Sequence, residues 1–261
     1  MMKTKTLVFA NNKGGSGKST TCANTAYSLS ELGSRVLAID TDMQMNLSLS
    51  FFEEEEVLRF NEGQDNLFQA VLRGEGLESC IFETRYEGLD LIPSSMLMST
   101  IEEVLYKRED SRSNFKALLQ GVKESGKYDY ILIDAPPTLG LWVRNLLNAA
   151  DAVIIPVEAS PWGLFGLANM IDYVNEASAD NKGLKIGGIV VTKVDVRKNY
   201  FHQTEELLKD MGDIRVFNNH IRVDSSIEWA QDSSMPVGAY KRNSRSAKEY
   251  MELAEEIRAA I

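Results

Sequence analysis

Six short apolar runs, rich in β-branched residues, punctuate the chain: "KTLVFAN", "RVLAID", "LDLIPS", "YDYILIDAPP", "AVIIPVE" and "KIGGIVVT". Each is too continuously hydrophobic for a strand with one wet face, and each is bounded by turn-forming residues, so they predict buried parallel strands. Between them apolar residues return every three or four positions, which predicts helices over 19–32, 96–106, 113–124, 164–177, 201–211 and 247–261. Strands and helices in alternation imply right-handed βαβ crossovers and a doubly wound, mostly parallel α/β sheet flanked by helices. In such a sheet ligands gather beyond the carboxyl ends of the strands. The stretch 53–65 falls outside this rhythm and reads as a mobile insertion whose glutamate run forms a solvated face.

Composition narrows the picture. With 261 residues and 44% hydrophobic content the chain can bury one large core, so a single domain over 1–261 is expected. No apolar run approaches the roughly 18 residues of a membrane span, and the short basic start passes straight into the first strand, which speaks against a cleaved leader. Cys22 and Cys80 stand far apart without a CxxC partner, which gives no disulfide or metal framework and fits a reducing, cytoplasmic setting. A net charge of −10 disfavours nucleic acid as a partner of the chain as a whole. The charge is segregated, however. Glu53 to Glu56 crowd one early stretch, while "PVGAYKRNSRSAK" carries Lys241, Arg242, Arg245 and Lys248 with no acid among them, so a local basic face is possible.

The chemistry concentrates at strand ends. "TLVFANNKGGSGKSTTCANTAYSLSELG" is a strand, a glycine-rich turn and an amphipathic helix, the context that makes a phosphate-loop motif credible. Gly14, Gly15 and Gly17 free the backbone so that successive N–H groups can converge, around Ser16, on phosphate oxygens at a helix N-terminus. Lys18 would neutralise the β- and γ-phosphates, Ser19 would offer its hydroxyl to Mg²⁺, and Thr20 would lie near the α-phosphate. Yet the G-x-x-x-x-G-K-[ST] template wants glycine at position 12, where this chain has Asn12, followed by a second lysine, Lys13.

Two further strands end in acids. "VLAIDTDMQMN" puts Asp40 and Asp42 at a carboxyl edge; Asp40 could hold a water of the magnesium shell and Asp42 could orient or deprotonate an attacking water. "YDYILIDAPPTLGL" ends in Asp134, placed to bind Mg²⁺ through water, and Pro136, Pro137 and Gly140 then suit a loop that senses the γ-phosphate. "GGIVVTKVD" offers a different reading, since Thr192-Lys193-Val194-Asp195 resembles the T-K-x-D element by which some GTPases read guanine through the aspartate; against it, so short a match is also met at an ordinary strand end with Lys193 and Asp195 solvated.

Taken together these motifs resemble the ParA/MinD family of deviant Walker A P-loop ATPases, and within it the short, Soj-like ParA partition proteins. The resemblance rests on "NNKGGSGKSTT", "VLAIDTDMQMN", "YDYILIDAPPTLG", "DAVIIPVEASPWGLFGL" and "SSMPVGAYKRNSRSAKEYMELAEEI", and so runs nearly the whole chain. Ser16, Met43 and Met45 depart from the valine, proline and glycine common there. The family implies an ATP- and Mg²⁺-dependent ATPase that forms a homodimer with ATP. Lys13 would then be the deviant lysine, reaching the partner's phosphates. It also implies nonspecific DNA binding by the dimer and a ParB-class centromere-binding partner that stimulates hydrolysis, all in a cytoplasmic protein associated with the nucleoid. Arg197 and Arg222 match DNA-contacting arginines on the side away from the nucleotide, Arg242 and Arg245 join them on charge alone, and Pro236 matches the adenine region. No helix-turn-helix domain is expected before the loop, and the acidic final helix is not a membrane anchor. Movement of a protein cargo is the alternative within the family.

Overall fold

The computed structural model describes residues 3–209, Gly212 and 214–261. In chain order they form β1 (Lys5–Phe9), α1 (Lys18–Glu31), β2 (Val36–Asp40), α2 (Glu54–Glu62), α3 (Leu67–Arg73), β3 (Phe82–Glu83) and β4 (Leu89–Ile92). Then come α4 (Ile101–Tyr106), α5 (Asn114–Leu118), α6 (Gln120–Glu124), β5 (Tyr130–Asp134), α7 (Leu141–Ala149), β6 (Ala152–Glu158) and α8 (Pro161–Ala177). The chain closes with β7 (Lys185–Thr192), α9 (Asn199–Lys209), α10 (Ser225–Asp232), α11 (Val237–Tyr240) and α12 (Arg245–Ala260). The strands make one sheet in the order β3-β4-β2-β5-β1-β6-β7, parallel except for the short edge strand β3.

All six expected strands are present, and alternation along them divides the core. Leu7 and Phe9 of β1 face α1 and α12, while Val8 faces the layer of α7 and α8. Both faces are covered, which is why each run reads as continuously apolar rather than alternating. Strand β5 lies between β1 and β2, with Asp134 in register with Phe9 on one side and Asp40 on the other. The loops after these three strands therefore open at one edge of the sheet.

The helices depart from expectation in instructive places. The stretch 53–65 is largely helical: α2 carries a capping box between Glu53 and Glu56 and buries Val57, so part of the glutamate run is helix-start chemistry. The segment 96–106 opens with a tight turn over 96–100 before α4, and 113–124 divides at Leu119 into α5 and α6. Helix α7 was not expected; seven of its nine residues are buried, among them Asn145 and Asn148, which share its polar side with Arg144. Helices α3, α10 and α11 are short enough that too few turns repeat to announce them. Helix α9 begins at Asn199; the expected end at Met211 lies outside the described residues. Among the described residues no helix is long and apolar enough to cross a membrane.

Candidate functional site

Beyond β1 the chain turns sharply into α1. Gly15 and Gly17 have φ of 74° and 85°, a region where any side chain would be strained, and Gly17 caps the helix. Thr192 at the end of β7 donates its hydroxyl to the Ser16 carbonyl at 2.8 Å, tying the loop to the sheet. The Ser16 hydroxyl itself is buried without a partner. Lys18 opens α1 with its side chain buried, and its Nζ donates to the Lys13 carbonyl at 3.2 Å. Burial lowers the Lys18 pKa, against the opposing pull of the Asp134 and Asp42 charges.

The acids divide the work. Asp40 is fully buried; its Oδ2 accepts from the Ser48 N–H at 2.8 Å and the Ser48 hydroxyl at 2.7 Å, and its Oδ1 from the Asp42 N–H at 3.2 Å. Burial pushes its pKa up to about 7, which the Ser48 bonds only partly counter. Through these bonds Asp40 anchors the loop after β2. Asp42 faces the open site, its Oδ1 accepting from the Gln44 N–H at 3.1 Å.

Asp134 is the opposite case. It is fully buried and neither carboxylate oxygen has a well-formed hydrogen bond, the Ser19 hydroxyl compensating only in part. Burial first, then the Asp40 charge, raise its pKa well above the carboxylate range, and Lys18 offsets this incompletely. Such an orphaned carboxylate fits a divalent cation. Among the described residues no group of three or more His, Cys, Asp and Glu side chains is arranged to chelate a metal. A metal held by Asp134 and Ser19 would complete its shell with phosphate oxygens and water, as Mg²⁺ does.

A cavity of about 620 Å³ opens over this edge. One wall is the glycine loop with Lys18, Ser19, Thr20, Asp42 and Pro137. The other runs from Thr192 and Lys193 through Ile221–Asp224 to Ile227 of α10, and Gln231 of α10 donates to the Thr20 hydroxyl at 2.9 Å. On this wall the sequence singled out only Thr192 and Lys193, within the T-K-x-D match, and Arg222, and it gave none of them this place; beyond β7 the wall is an irregular segment brought alongside by a parallel bridge between Val194 and Arg222.

Three expectations need correcting. Pro236 does not line the cavity; it caps α11, whose Val237 N–H donates to Asn24 of α1 at 2.7 Å. Arg222 faces the nucleotide-sized cavity and pairs with the buried Glu249, so it does not lie on the far side. Asp195 is outside the cavity lining and pairs instead with the exposed Arg197 at 3.0 and 3.1 Å. Arg197 and Arg242 are each 86% exposed and Arg245 is 48% exposed, so these three do reach solvent.

Lys13 sits within its own subunit. Its Nζ donates to Glu158 Oε2 at 2.6 Å and to the Ser160 hydroxyl at 3.1 Å, and its N–H donates to Asn11 Oδ1 at 2.9 Å. Neither Glu158 nor Ser160 carried a motif of its own. Asn12, without an assigned role in the sequence, packs its amide oxygen under α8, where a side chain added at Gly166 would come within 3.1 Å of it. A methyl there would press the Asn12 amide by a few tenths of an ångström, which shows how closely α8 lies against the loop.

A family model described as an AAA domain matches residues 4–186. The sporulation initiation inhibitor protein Soj of Bacillus subtilis is 32% identical, covering 98% of each chain. A plasmid partition protein from Borrelia burgdorferi bound to AMPPNP has a TM-score of 0.82 at 27% identity, covering 99% of this chain and 100% of its own. Cobyrinic acid a,c-diamide synthase from Mycobacterium smegmatis, bound to an ATP analogue and magnesium, has a TM-score of 0.82 at 26% identity, covering 97% and 93%.

Proposed function

The chain belongs to the ParA/MinD family of partition ATPases, and from its site we propose that it binds ATP with Mg²⁺, pairs with a second copy and then binds DNA without sequence preference. The observation that carries this reading is a glycine loop that opens a helix on one cavity wall, with Asp134, a buried carboxylate lacking a partner, close behind its Lys18 and Ser19. Mg²⁺, when bound, would supply neutralisation of phosphate charge. The loop N–H groups and Lys18 hold the β- and γ-phosphates, helped by the positive end of the α1 dipole. Ser19 and Asp134 hold the metal, and Asp40 keeps the Asp42 loop in place. Asp42 orients the attacking water and takes its proton. Lys13 leaves Glu158 to reach the phosphates of the second copy, the part an arginine finger plays elsewhere.

DNA would meet the exposed Arg242, Arg245, Lys241 and Lys248 on and before α12, with Arg197 a further contact. Contacts to phosphate carry no sequence information and weaken with salt, by a log-log slope of roughly −0.9 per phosphate neutralised. A ParB-class centromere-binding protein would stimulate hydrolysis and release, in a cytoplasmic, nucleoid-associated cycle. Sedimentation with ATP, ADP or no nucleotide, with and without duplex DNA, tests the reading. Dimers and salt-sensitive DNA binding are expected with ATP alone, unaffected by excess GTP. A monomer that ignores DNA in every nucleotide state would overturn it.

A further inference from the structure

Trp142, the second residue of α7, is buried and is the largest side chain of the core among the described residues. It is fixed from several directions. Its backbone N–H donates to Glu102 Oε1 of α4 at 3.4 Å, and its ring meets that of Phe115 in α5 edge to face, with centroids 5.4 Å apart. Two residues earlier the Gly140 carbonyl accepts from the Tyr173 hydroxyl of α8 at 2.8 Å. The end of the loop after β5 is therefore fastened, and the indole starts from a fixed point. Its Nε1–H donates to the Thr41 carbonyl at 3.3 Å, in the loop after β2 and 101 residues away along the chain.

Thr41 and Asp42 share one peptide group, and both of its polar ends are held. The carbonyl accepts from Trp142, and the N–H donates to Asp40 Oδ1 at 3.2 Å. Upstream, the Thr41 N–H and hydroxyl both donate to the Asp134 carbonyl, at 3.3 and 2.6 Å. Downstream, the Asp42 carbonyl accepts from the Met45 N–H at 3.0 Å. Peptide groups are planar, so holding the planes on either side of the Asp42 Cα sets the direction in which its side chain leaves. A buried indole N–H needs an acceptor, and many core carbonyls would serve. This one belongs to the peptide that carries Asp42, the carboxylate facing the cavity.

We propose that Trp142 is a positioning residue for hydrolysis: by holding the Thr41–Asp42 peptide from α7, it aims the Asp42 carboxylate at the attacking water. The inference rests on the reading of Asp42 given above and adds the residue that orients it. The same bond ties two loops together. Asp42 after β2 and Pro137 after β5 both line the cavity, so a shift of one loop is passed to the other through the indole. Trp142 itself is not part of the cavity lining, so its loss should reach the rate of the chemical step and leave nucleotide affinity alone.

The test removes the indole N–H from the full chain in two ways. Trp142→Phe keeps an aromatic ring against Phe115; replacing Trp142 with 3-benzothienylalanine keeps the bicyclic shape with sulfur in place of the N–H, and serves if the phenylalanine variant fails to fold. Single-turnover hydrolysis of Mg-ATP, and affinity for a slowly hydrolysed ATP analogue by calorimetry, are measured for each, with Asp42 intact and in Asp42→Ala. With Asp42 intact, hydrolysis should slow by about three- to tenfold, the worth of one hydrogen bond between neutral groups, with affinity within about twofold. In Asp42→Ala the same changes should cause no further slowing, because no carboxylate is left to aim. Unchanged hydrolysis in the benzothienylalanine protein, an equal loss with and without Asp42, or affinity falling in step with the rate would overturn the proposal. Hydrolysis at the wild-type rate in Asp42→Ala alone would overturn the reading of Asp42 itself, and the proposal with it.

Discussion

Two lysines five residues apart in one loop have opposite circumstances. Lys18 is buried and surrounded by the charges of Asp134 and Asp42; Lys13 lies about a quarter exposed and is bonded to Glu158 and Ser160 at the end of β6. Lys18 is built into its own site, since leaving it would strand a buried ammonium and an already unpartnered carboxylate. Lys13 can leave at small cost, because an ion pair with solvent access is worth only about 0–1 kcal/mol. One subunit therefore contains a complete phosphate-binding lysine and a second lysine that is merely parked. The difference separates binding from turnover: the first belongs to the fold and the second becomes useful only when something outside the subunit draws it away.

The largest effect that would break this contrast is on Lys18. Lys18→Ala removes a buried charge from the phosphates, which costs on the order of 2–5 kcal/mol, or about 30-fold to several thousandfold in ATP affinity. Calorimetry should show ATP binding lost at micromolar protein, and dimerisation with it. Lys13→Ala should behave differently: ATP affinity of the monomer within about threefold of wild type, but turnover down by about 10³, the lower range for an arginine finger. Equal losses of binding in both variants would erase the distinction between the two lysines.

Asp134 sharpens the contrast from the other side, because its buried carboxylate has no well-formed hydrogen bond within the chain. Asp134→Asn should abolish Mg²⁺-dependent hydrolysis yet stabilise the nucleotide-free protein by about 1–3 kcal/mol, the penalty of an unsatisfied buried group. The sign of the pH dependence follows from the raised pKa. Stability from a group whose folded pKa is raised is complete below its unfolded value, about 3.9 for aspartate, and is lost as pH rises through the folded value. The advantage of Asp134→Asn should therefore be greatest at high pH and vanish on acidification, which thermal melts across pH would reveal. Ser16→Val, removing a buried hydroxyl that has no partner, should add about 1 kcal/mol with little change in turnover.

How much of this was legible in the sequence depends on what each residue's role requires. The strands, the glycine loop and the three acids could be read because strand-end position and residue type suffice to suggest them. That Asp134 abuts Asp40 could not, because strand order places β5 between β1 and β2 and no local pattern encodes the pairing. Most of the second wall was invisible for a similar reason: Ile221–Asp224 is irregular, and its place depends on backbone bonds to Val191 and Val194 and on contacts to α12. Arg222 was misplaced by analogy of position, since a basic residue near the C-terminus reads alike whichever wall it faces. Met45 could be flagged as a departure from glycine, but only the structure shows that it adopts φ of 54° with its side chain 8% exposed, strain that apolar burial offsets.

The smallest effect tests the parking itself. If Glu158 serves only to hold Lys13 while the subunit is alone, its charge opposes dimerisation by no more than the worth of the pair, and Glu158→Gln should lower the protein concentration for half-dimerisation with ATP by up to about fivefold. Glutamine keeps an acceptor for the ammonium and nearly the same volume, so Ser160 and the end of β6 need not move. Sedimentation equilibrium with a slowly hydrolysed ATP analogue measures the shift. A weaker dimer would mean that Glu158 works within the assembled pair, accepting Lys13 from across the interface, and the contrast between a committed and a parked lysine would have to be redrawn around two subunits instead of one.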